Sequence, residues 1–149
     1  MRTNREAALK LFVVLNRTVA ALRQHAEADV ARHGLTLIEF AVMEALFHRG
    51  DMPLGEVQKR ILVTSGGMTY IVDRLVEQGY VERKPCATDR RVRYASLTPE
   101  GRQLMAAIFP AHAEALERAM AGLTLEQKRQ AVTLLRELGT YAAENPPGQ

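Results

Sequence analysis

Residues 54–79 read LGEVQKRILVTSGGMTYIVDRLVEQG, and the spacing of apolar and small residues within them decides the fold. Pro53 precedes a short helix that carries Val57 and Ile61 inward and Glu56, Lys59 and Arg60 outward. After a turn at Leu62 and Val63, Thr64 or Ser65 can cap a second helix, which Gly79 ends. Met68, Ile71, Val72, Leu75 and Val76 stand at i, i+3, i+4, i+7 and i+8 and form one apolar face. Thr69, Tyr70, Asp73, Arg74 and Glu77 are left for the other face. Two helices across a tight turn, the second with a polar outer side, predict a helix-turn-helix.

On the C-terminal side, Tyr80 to Lys84 and Arg93 to Leu97 read as short strands around an exposed, charged tip from Pro85 to Val92, the form of a wing. Thr98 caps the next helix, with Pro99 at its first position and Leu104, Ile108, Leu116 and Ala119 on its inner face. Pro110 is expected to kink that helix. Thr124 and Gln127 have capping-box spacing before a last helix, apolar at Ala131, Val132, Leu135 and Leu138, and Asn145 to Gln149 read as a frayed tail. On the N-terminal side, Ala8, Leu11, Phe12, Leu15, Val19, Leu22 and Ala26 follow helical spacing between Glu6 and about His33. Leu9, Val13 and Ala20 widen this surface past one stripe, which predicts a partner chain against it. Gly34 ends the helix. Thr36 and Glu39 then predict a full capping box, the hydroxyl taking a free amide and the carboxylate reaching back, with Leu35 and Phe40 as the hydrophobic staple. The helix they open runs to about Arg49 and stops at Gly50. The expected fold is mainly α with a small β-wing: six helices built around a winged helix-turn-helix.

A chain of 149 residues, 47% hydrophobic and 25% charged, can bury one core and is too short for two ordinary domains. An aromatic share of 5% with no Trp favours helices over a β-sandwich. The single cysteine excludes an internal disulfide, which suits a reducing compartment. The longest uncharged stretch, Ile61 to Val72, contains Thr64, Ser65, Gly66, Gly67 and Thr69 and cannot span a bilayer. Near the start, the apolar run Leu11 to Leu15 stops at Asn16 and Arg17, too early for a signal peptide, so a cytoplasmic protein is expected.

The net charge of +3 is too small to announce a nucleic-acid binder, but its distribution is informative. Leu54 to Arg102 holds nine basic and six acidic residues, so this segment carries the whole surplus. Five of the bases, Arg83, Lys84, Arg90, Arg91 and Arg93, fall between Glu82 and Arg93 against two acids. Such a projecting tip suits the electronegative minor groove, where arginine is favoured. Thr64, Ser65, Gly66 and Gly67 at the start of the second helix of the pair offer hydroxyls, free amides and close approach to base edges in the major groove.

With these residues in view, the sequence resembles the MarR family of winged helix-turn-helix regulators over nearly the whole chain. The resemblance rests on an ordered set: Val63-Thr64-Ser65-Gly66-Gly67-Met68-Thr69-Tyr70, Val72-Asp73-Arg74-Leu75, Gly79-Tyr80-Val81-Glu82-Arg83, Asp89-Arg90-Arg91 and Leu97-Thr98-Pro99-Glu100-Gly101. It implies a homodimer whose first and last helices intertwine, bound to a pseudo-palindromic operator on double-stranded DNA and usually repressing transcription. The implied organisation is a dimerisation helix in residues 1–34, the DNA-binding region in 35–98 and further dimerisation helices in 99–149 of one compact chain. The family's base-reading region matches Thr64 to Tyr70, and Arg74 is similar to its DNA-contacting arginine. In its wing motif an aspartate braces the arginine that enters the minor groove; those positions match Asp89 and Arg91. Many members release DNA when a small phenolic or other aromatic ligand binds, or when a cysteine is oxidised. The Thr-Ser-Gly-Gly-Met-Thr-Tyr run and the Pro85-Cys86 pair look like the quinone- and catechol-responsive branch.

Each assignment has a plainer competitor. Arg90, Arg91 and Arg93 could be a solvated hairpin, but the adjoining helix-turn-helix favours DNA contact. Thr64, Ser65 and Gly66 cap a helix in either reading. They lack the flanks of a nucleophile elbow, and Gly66-Gly67 lacks the lysine of a phosphate loop. Cys86, beside Arg83 and Lys84, is the one redox candidate, and as a lone thiol it is better read as inert. Peroxide-sensing relatives carry their cysteine near the start of the first helix, where Ala7, Ala8 and Leu9 stand here. His25, His33, His48 and His112 form no ligand pair, so neither a metal nor a cofactor is expected. Phe40, Met43, Phe47 and His112 are candidates for an effector pocket, against core packing as the default. The expected function is sequence-specific DNA binding by a homodimeric regulator, a repressor released by a small aromatic ligand or electrophile. The alternative is a protein-interaction adaptor that keeps the winged fold. An enzyme would need a convergent acid, base or nucleophile set, and the sequence offers none.

Overall fold

The computed structural model describes residues 2–61 and 65–148, with Ser65 described by its backbone alone. The elements are helices α1 (Asn4–Ala31) and α2 (Leu37–Arg49), strand β1 (Met52–Pro53), helices α3 (Leu54–Ile61) and α4 (Ser65–Glu77), strands β2 (Val81–Pro85) and β3 (Arg93–Leu97), and helices α5 (Pro99–Ala119) and α6 (Leu125–Glu144). The chain divides into two compact units, residues 1–116 and 117–149.

In the first unit, α1 opens on a full capping box that the sequence reading passed over: Thr3 Oγ1 accepts from the Glu6 amide and the Glu6 carboxylate accepts from Thr3. Only the C-terminal end of α1 is buried, at Ala26, Asp29 and Val30. Leu9, Phe12 and Val19 stay in solvent, Phe12 at 68% exposure. At α2 the predicted box is half made. Thr36 Oγ1 accepts from the Glu39 amide at 3.1 Å, but the Glu39 carboxylate does not reach back. It turns inward to the guanidinium of Arg74 instead, 3.7 Å away, because a buried carboxylate gains more from a cation than from a second amide. The staple pair Leu35 and Phe40 is buried as expected, and α2 ends at Gly50, whose φ of 84° only glycine adopts freely.

The core gathers Phe40, Met43 and Leu46 of α2 with Val72 and Leu75 of α4 and Met105 of α5. Along α4, Met68, Ile71, Val72 and Leu75 are buried as the spacing predicted, whereas Val76 is exposed. Eight residues beyond Met68, it has turned about 80° off that face. The sheet has the order β1-β3-β2, all antiparallel. β2 and β3 form the wing in the register Val81↔Leu97 to Pro85↔Arg93. β1 pairs Met52 with Ala95 and Pro53 with Tyr94 on the other side of β3. A two-residue strand containing proline carries no alternation signal, so the sequence did not reveal it.

α5 starts at a crowded joint. Thr98 donates its amide to the Tyr80 carbonyl at 3.0 Å and its hydroxyl to Gly79 at 2.6 Å, and its Oγ1 accepts from the Gly101 amide at 3.0 Å. A Cβ at Gly101 would run into the Tyr80 carbonyl. The buried face of α5 is Gly101, Met105, Ile108 and His112; of the stripe expected through Leu104, Ile108, Leu116 and Ala119 it shares Ile108, and the other three are only half-buried. Glycine and histidine carry little hydrophobic signal, and the reading therefore followed the leucines. The helix runs through Pro110 as one element.

In the second unit, α6 opens on the predicted box: the Gln127 amide donates to Thr124 Oγ1 at 3.2 Å and the Thr124 amide to Gln127 Oε1 at 2.9 Å. It buries none of its residues, and Val132, Leu135 and Leu138 of the expected apolar stripe are exposed.

Candidate nucleic-acid interface

Helix α4 presents its polar side outward because its apolar side closes the core. Gly66, Thr69, Tyr70 and Arg74 are exposed and Gly67 is half-buried. Thr64 lies outside the described residues, and Ser65 contributes the first turn of α4 through its backbone. Arg74 is fixed from two directions. The guanidinium is held above its ordinary pKa, first by its hydrogen bond with the Tyr70 side chain and then by the charge of Glu39.

The wing strands are tied to α4 by Arg83. Its Nη2 donates to Asp73 Oδ1 at 2.6 Å and reaches the Thr69 carbonyl at 3.5 Å. Lys84 is shared between Asp51 Oδ2 at 3.8 Å and Glu82 Oε1 at 3.5 Å. Asp51 in turn accepts from Ser96 Oγ at 2.7 Å, which links the loop before β1 to β3. Arg83 and Lys84, read from sequence as wing bases, thus also fasten the wing to its neighbours.

At the tip, Asp89 Oδ1 accepts from the Arg91 amide at 3.0 Å and from Arg91 Nε at 3.3 Å, while Oδ2 lies 3.5 Å from Nη2. The Arg91 side chain is nevertheless 91% exposed. The Arg91 amide, and then its guanidinium, hold the Asp89 carboxyl below the ordinary aspartate value. Arg90 and Arg93 are exposed beside this brace. The surface therefore carries a helix face with a fixed cation and a tip with an ordered one, both open to water.

Cys86 is half-buried, with Sγ 3.3 Å from Thr88 Oγ1. The Thr88 hydroxyl, then the Thr88 and Asp89 amides, lower its thiol pKa. It lines a cleft of about 390 Å³ with Asp51, Lys84, Thr88 and Tyr94.

Of the candidate effector residues, Phe40, Met43 and His112 are packed in the interior and Phe47 is half-buried. His112 Nδ1 lies 2.9 Å from Asp29 Oδ2, and its ring sits 4.3 Å from that of Phe40. A separate cleft of about 590 Å³ opens on another side of α2, lined by Leu37, Ile38, Glu44 and His48 with Arg23 of α1 and Arg60 of α3. Among the described residues no group of three or more His, Cys, Asp or Glu could hold a metal, and no helix is long and apolar enough to cross a membrane.

Sequence reasoning missed Glu39 and Asp73 as partners of Arg74 and Arg83. Asp73 could have been found: it sits on the polar face of α4, one position from Arg74. Glu39 could not, because its capping-box spacing already explained it.

Comparison with known proteins bears on this surface. The profile of the MarR family matches residues 33–92. The HTH-type transcriptional regulator MhqR of Bacillus subtilis (strain 168) is 38% identical over 139 residues, spanning 93% of this chain and 96% of that protein. The HTH-type transcriptional repressor Rv2887 of Mycobacterium tuberculosis is 30% identical over 130 residues, 87% of this chain and 94% of that one. Among solved structures, Sco3205 of Streptomyces coelicolor, a MarR family transcriptional regulator in complex with DNA, superposes with a TM-score of 0.83 at 23% identity, covering 99% of this chain and 92% of that one.

Proposed function

We propose, from the premise that the chain belongs to the MarR family of DNA-binding transcriptional regulators, that it works as a homodimeric repressor in the cytoplasm, by binding and not by catalysis. Each protomer lays the outer face of α4 in a major groove, with Gly66, Gly67, Thr69 and Tyr70 near base edges and Arg74 on the DNA, and sends Arg91 into the flanking minor groove. Ser65, in the first turn of α4, stands at the N-terminal end of that contact, Arg90 and Arg93 meet phosphates, and Arg83 and Lys84 hold the wing at its angle and add positive charge.

The observation that carries this reading is the Asp89–Arg91 brace. An arginine that is 91% exposed yet ordered by three contacts from its own loop is presented to something outside the chain. Dimerisation is supported by the exposed apolar faces of α1, through Leu9, Phe12 and Val19, and of α6, through Leu134, Leu138 and Tyr141. The dimerisation helices are those of residues 1–34 and 99–149, flanking the DNA-binding region 35–98. Half-sites then lie about one turn apart, roughly 34–36 Å. A small aromatic ligand releasing DNA acts by favouring a dimer geometry that cannot fit both grooves, with the neighbourhood of Phe40, Met43, Phe47 and His112 as its site. Cys86, read as inert from sequence, becomes the candidate point of attack for an electrophile because Thr88 lies against its Sγ and favours the ionised thiol.

Selection of bound duplexes from a random pool tests the whole reading. A palindromic consensus, bound by two protomers with a steep dependence on salt, is expected. Recovery of no consensus, or a specific complex containing one protomer, would overturn it.

A further inference from the structure

Glu39 is a buried carboxylate with an unusual set of neighbours. It is 2% exposed, and its Oε2 has no hydrogen-bond partner among the described residues. Oε1 faces Arg74 Nε at 3.7 Å, too long for a hydrogen bond and close enough for an ion pair. The amide of Glu39 is taken by Thr36, so the residue caps α2 through its backbone while its side chain is left for another task. Burying a carboxylate with one oxygen unmatched costs stability, and glutamine would fill the same space without a charge. The ion pair with Arg74 offsets part of that cost, and Arg74 is the group the carboxylate is placed to act on.

We propose that Glu39 is a positioning residue for the DNA contact of Arg74: it draws Nε onto α2 and so orders the guanidinium for an acceptor on the DNA. An arginine on a helix surface otherwise samples many rotamers, and binding DNA must then order it. Here Nε is already engaged from below by α2, while the side chain as a whole stays 45% exposed. Charge repulsion works the other way, since a carboxylate under the interface disfavours phosphates. That charge is already faced by the Arg74 guanidinium 3.7 Å away, which offsets its field at the interface. The proposal requires that ordering outweigh what repulsion is left.

The inference rests on Arg74 touching DNA, and the test separates the two. Operator affinity is measured at physiological salt for wild type, E39Q, R74A and E39Q/R74A, using the duplex recovered by selection. E39Q is expected to weaken binding about three- to tenfold, and to cause no further loss in the R74A background. E39M, which keeps the volume without the charge or amide, is expected to behave as E39Q does. If R74A is weak but E39Q and E39M bind as wild type, the tether is wrong and the DNA contact stands. If R74A itself binds as wild type, the contact is wrong and the tether falls with it. An equal loss from E39Q in both backgrounds would reduce Glu39 to a general structural role and overturn the proposal.

Discussion

Asp29 of α1 and His112 of α5, 83 residues apart in sequence, meet in the interior at 2.9 Å and join the two helices through one polar contact. Both side chains are 6% exposed, and Phe40 of α2 packs against the imidazole. Removing either partner strands the other in an apolar setting. D29A and H112A are each expected to lower unfolding stability by about 2–3 kcal/mol. The double variant should lose less than the sum of the two. Urea denaturation at fixed protein concentration checks this, and strictly additive losses would show that the contact carries no coupling.

Gly101 admits no side chain while Tyr80 stays where it is. Backbone is the obstacle, and the helix start is pinned by three hydrogen bonds around Thr98, so the clash cannot be relieved by a rotamer change. G101A is expected to cost about 1–3 kcal/mol or more, against the small gain that glycine-to-alanine exchange brings within an unconstrained helix. Thermal unfolding of G101A beside G139A, an open position on α6, reads the difference directly.

The wing brace gives both a mutational and a pH expectation. R91A is expected to weaken operator binding by about 1–3 kcal/mol with the fold intact, and D89N to produce part of that loss by freeing the arginine. The Asp89 carboxyl is held below the ordinary aspartate value in the folded chain. Its contribution is therefore fully present above the unfolded value and is lost only as pH falls through the lowered, folded one. The brace should stay intact at pH 5. Carbon-13 NMR titration of the Asp89 carboxyl checks this, and a midpoint at or above the ordinary aspartate value would contradict it.

Cys86 is expected to alkylate as a thiolate at lower pH than a free cysteine does, because the Thr88 hydroxyl and nearby amides favour the ionised sulfur. T88A should move the midpoint of the iodoacetamide rate profile upward. A profile unchanged by T88A would assign the lowered value to some other cause.

The helix-turn-helix was legible because its burial pattern is periodic: four of the five apolar positions predicted on α4 are buried, and of the two strand runs Arg93–Leu97 is found as read while the other lies one residue later, at Val81–Pro85. Misreadings arose where one residue serves two elements. Glu39 satisfied a local capping rule, and its side chain was claimed by Arg74, which is distant in sequence. Gly101 and His112 build the inner face of α5 without looking hydrophobic. Arg83 and Lys84 counted as free charge, although Asp73 and Asp51 engage them. Asp73, on the polar face of α4, could have been found; in the other cases the deciding partner is close only in three dimensions, and no local pattern reports it.

The crowded start of α5 also has a mechanical meaning. Gly101 lies against the backbone of Tyr80, at the root of the wing, and His112 lies eleven residues on, about 17 Å along the helix axis. Taken as one rigid joint, α5 is a lever with its fulcrum at a glycine. A sideways shift of about 1 Å at His112 rocks it by about 3–4° over that arm. The opposing arm, the five residues of β2, is about 17 Å long. Were α5 and β2 to turn as one body about that joint, arms of nearly equal length would carry a displacement at the buried histidine to the outer end of β2 at close to one to one.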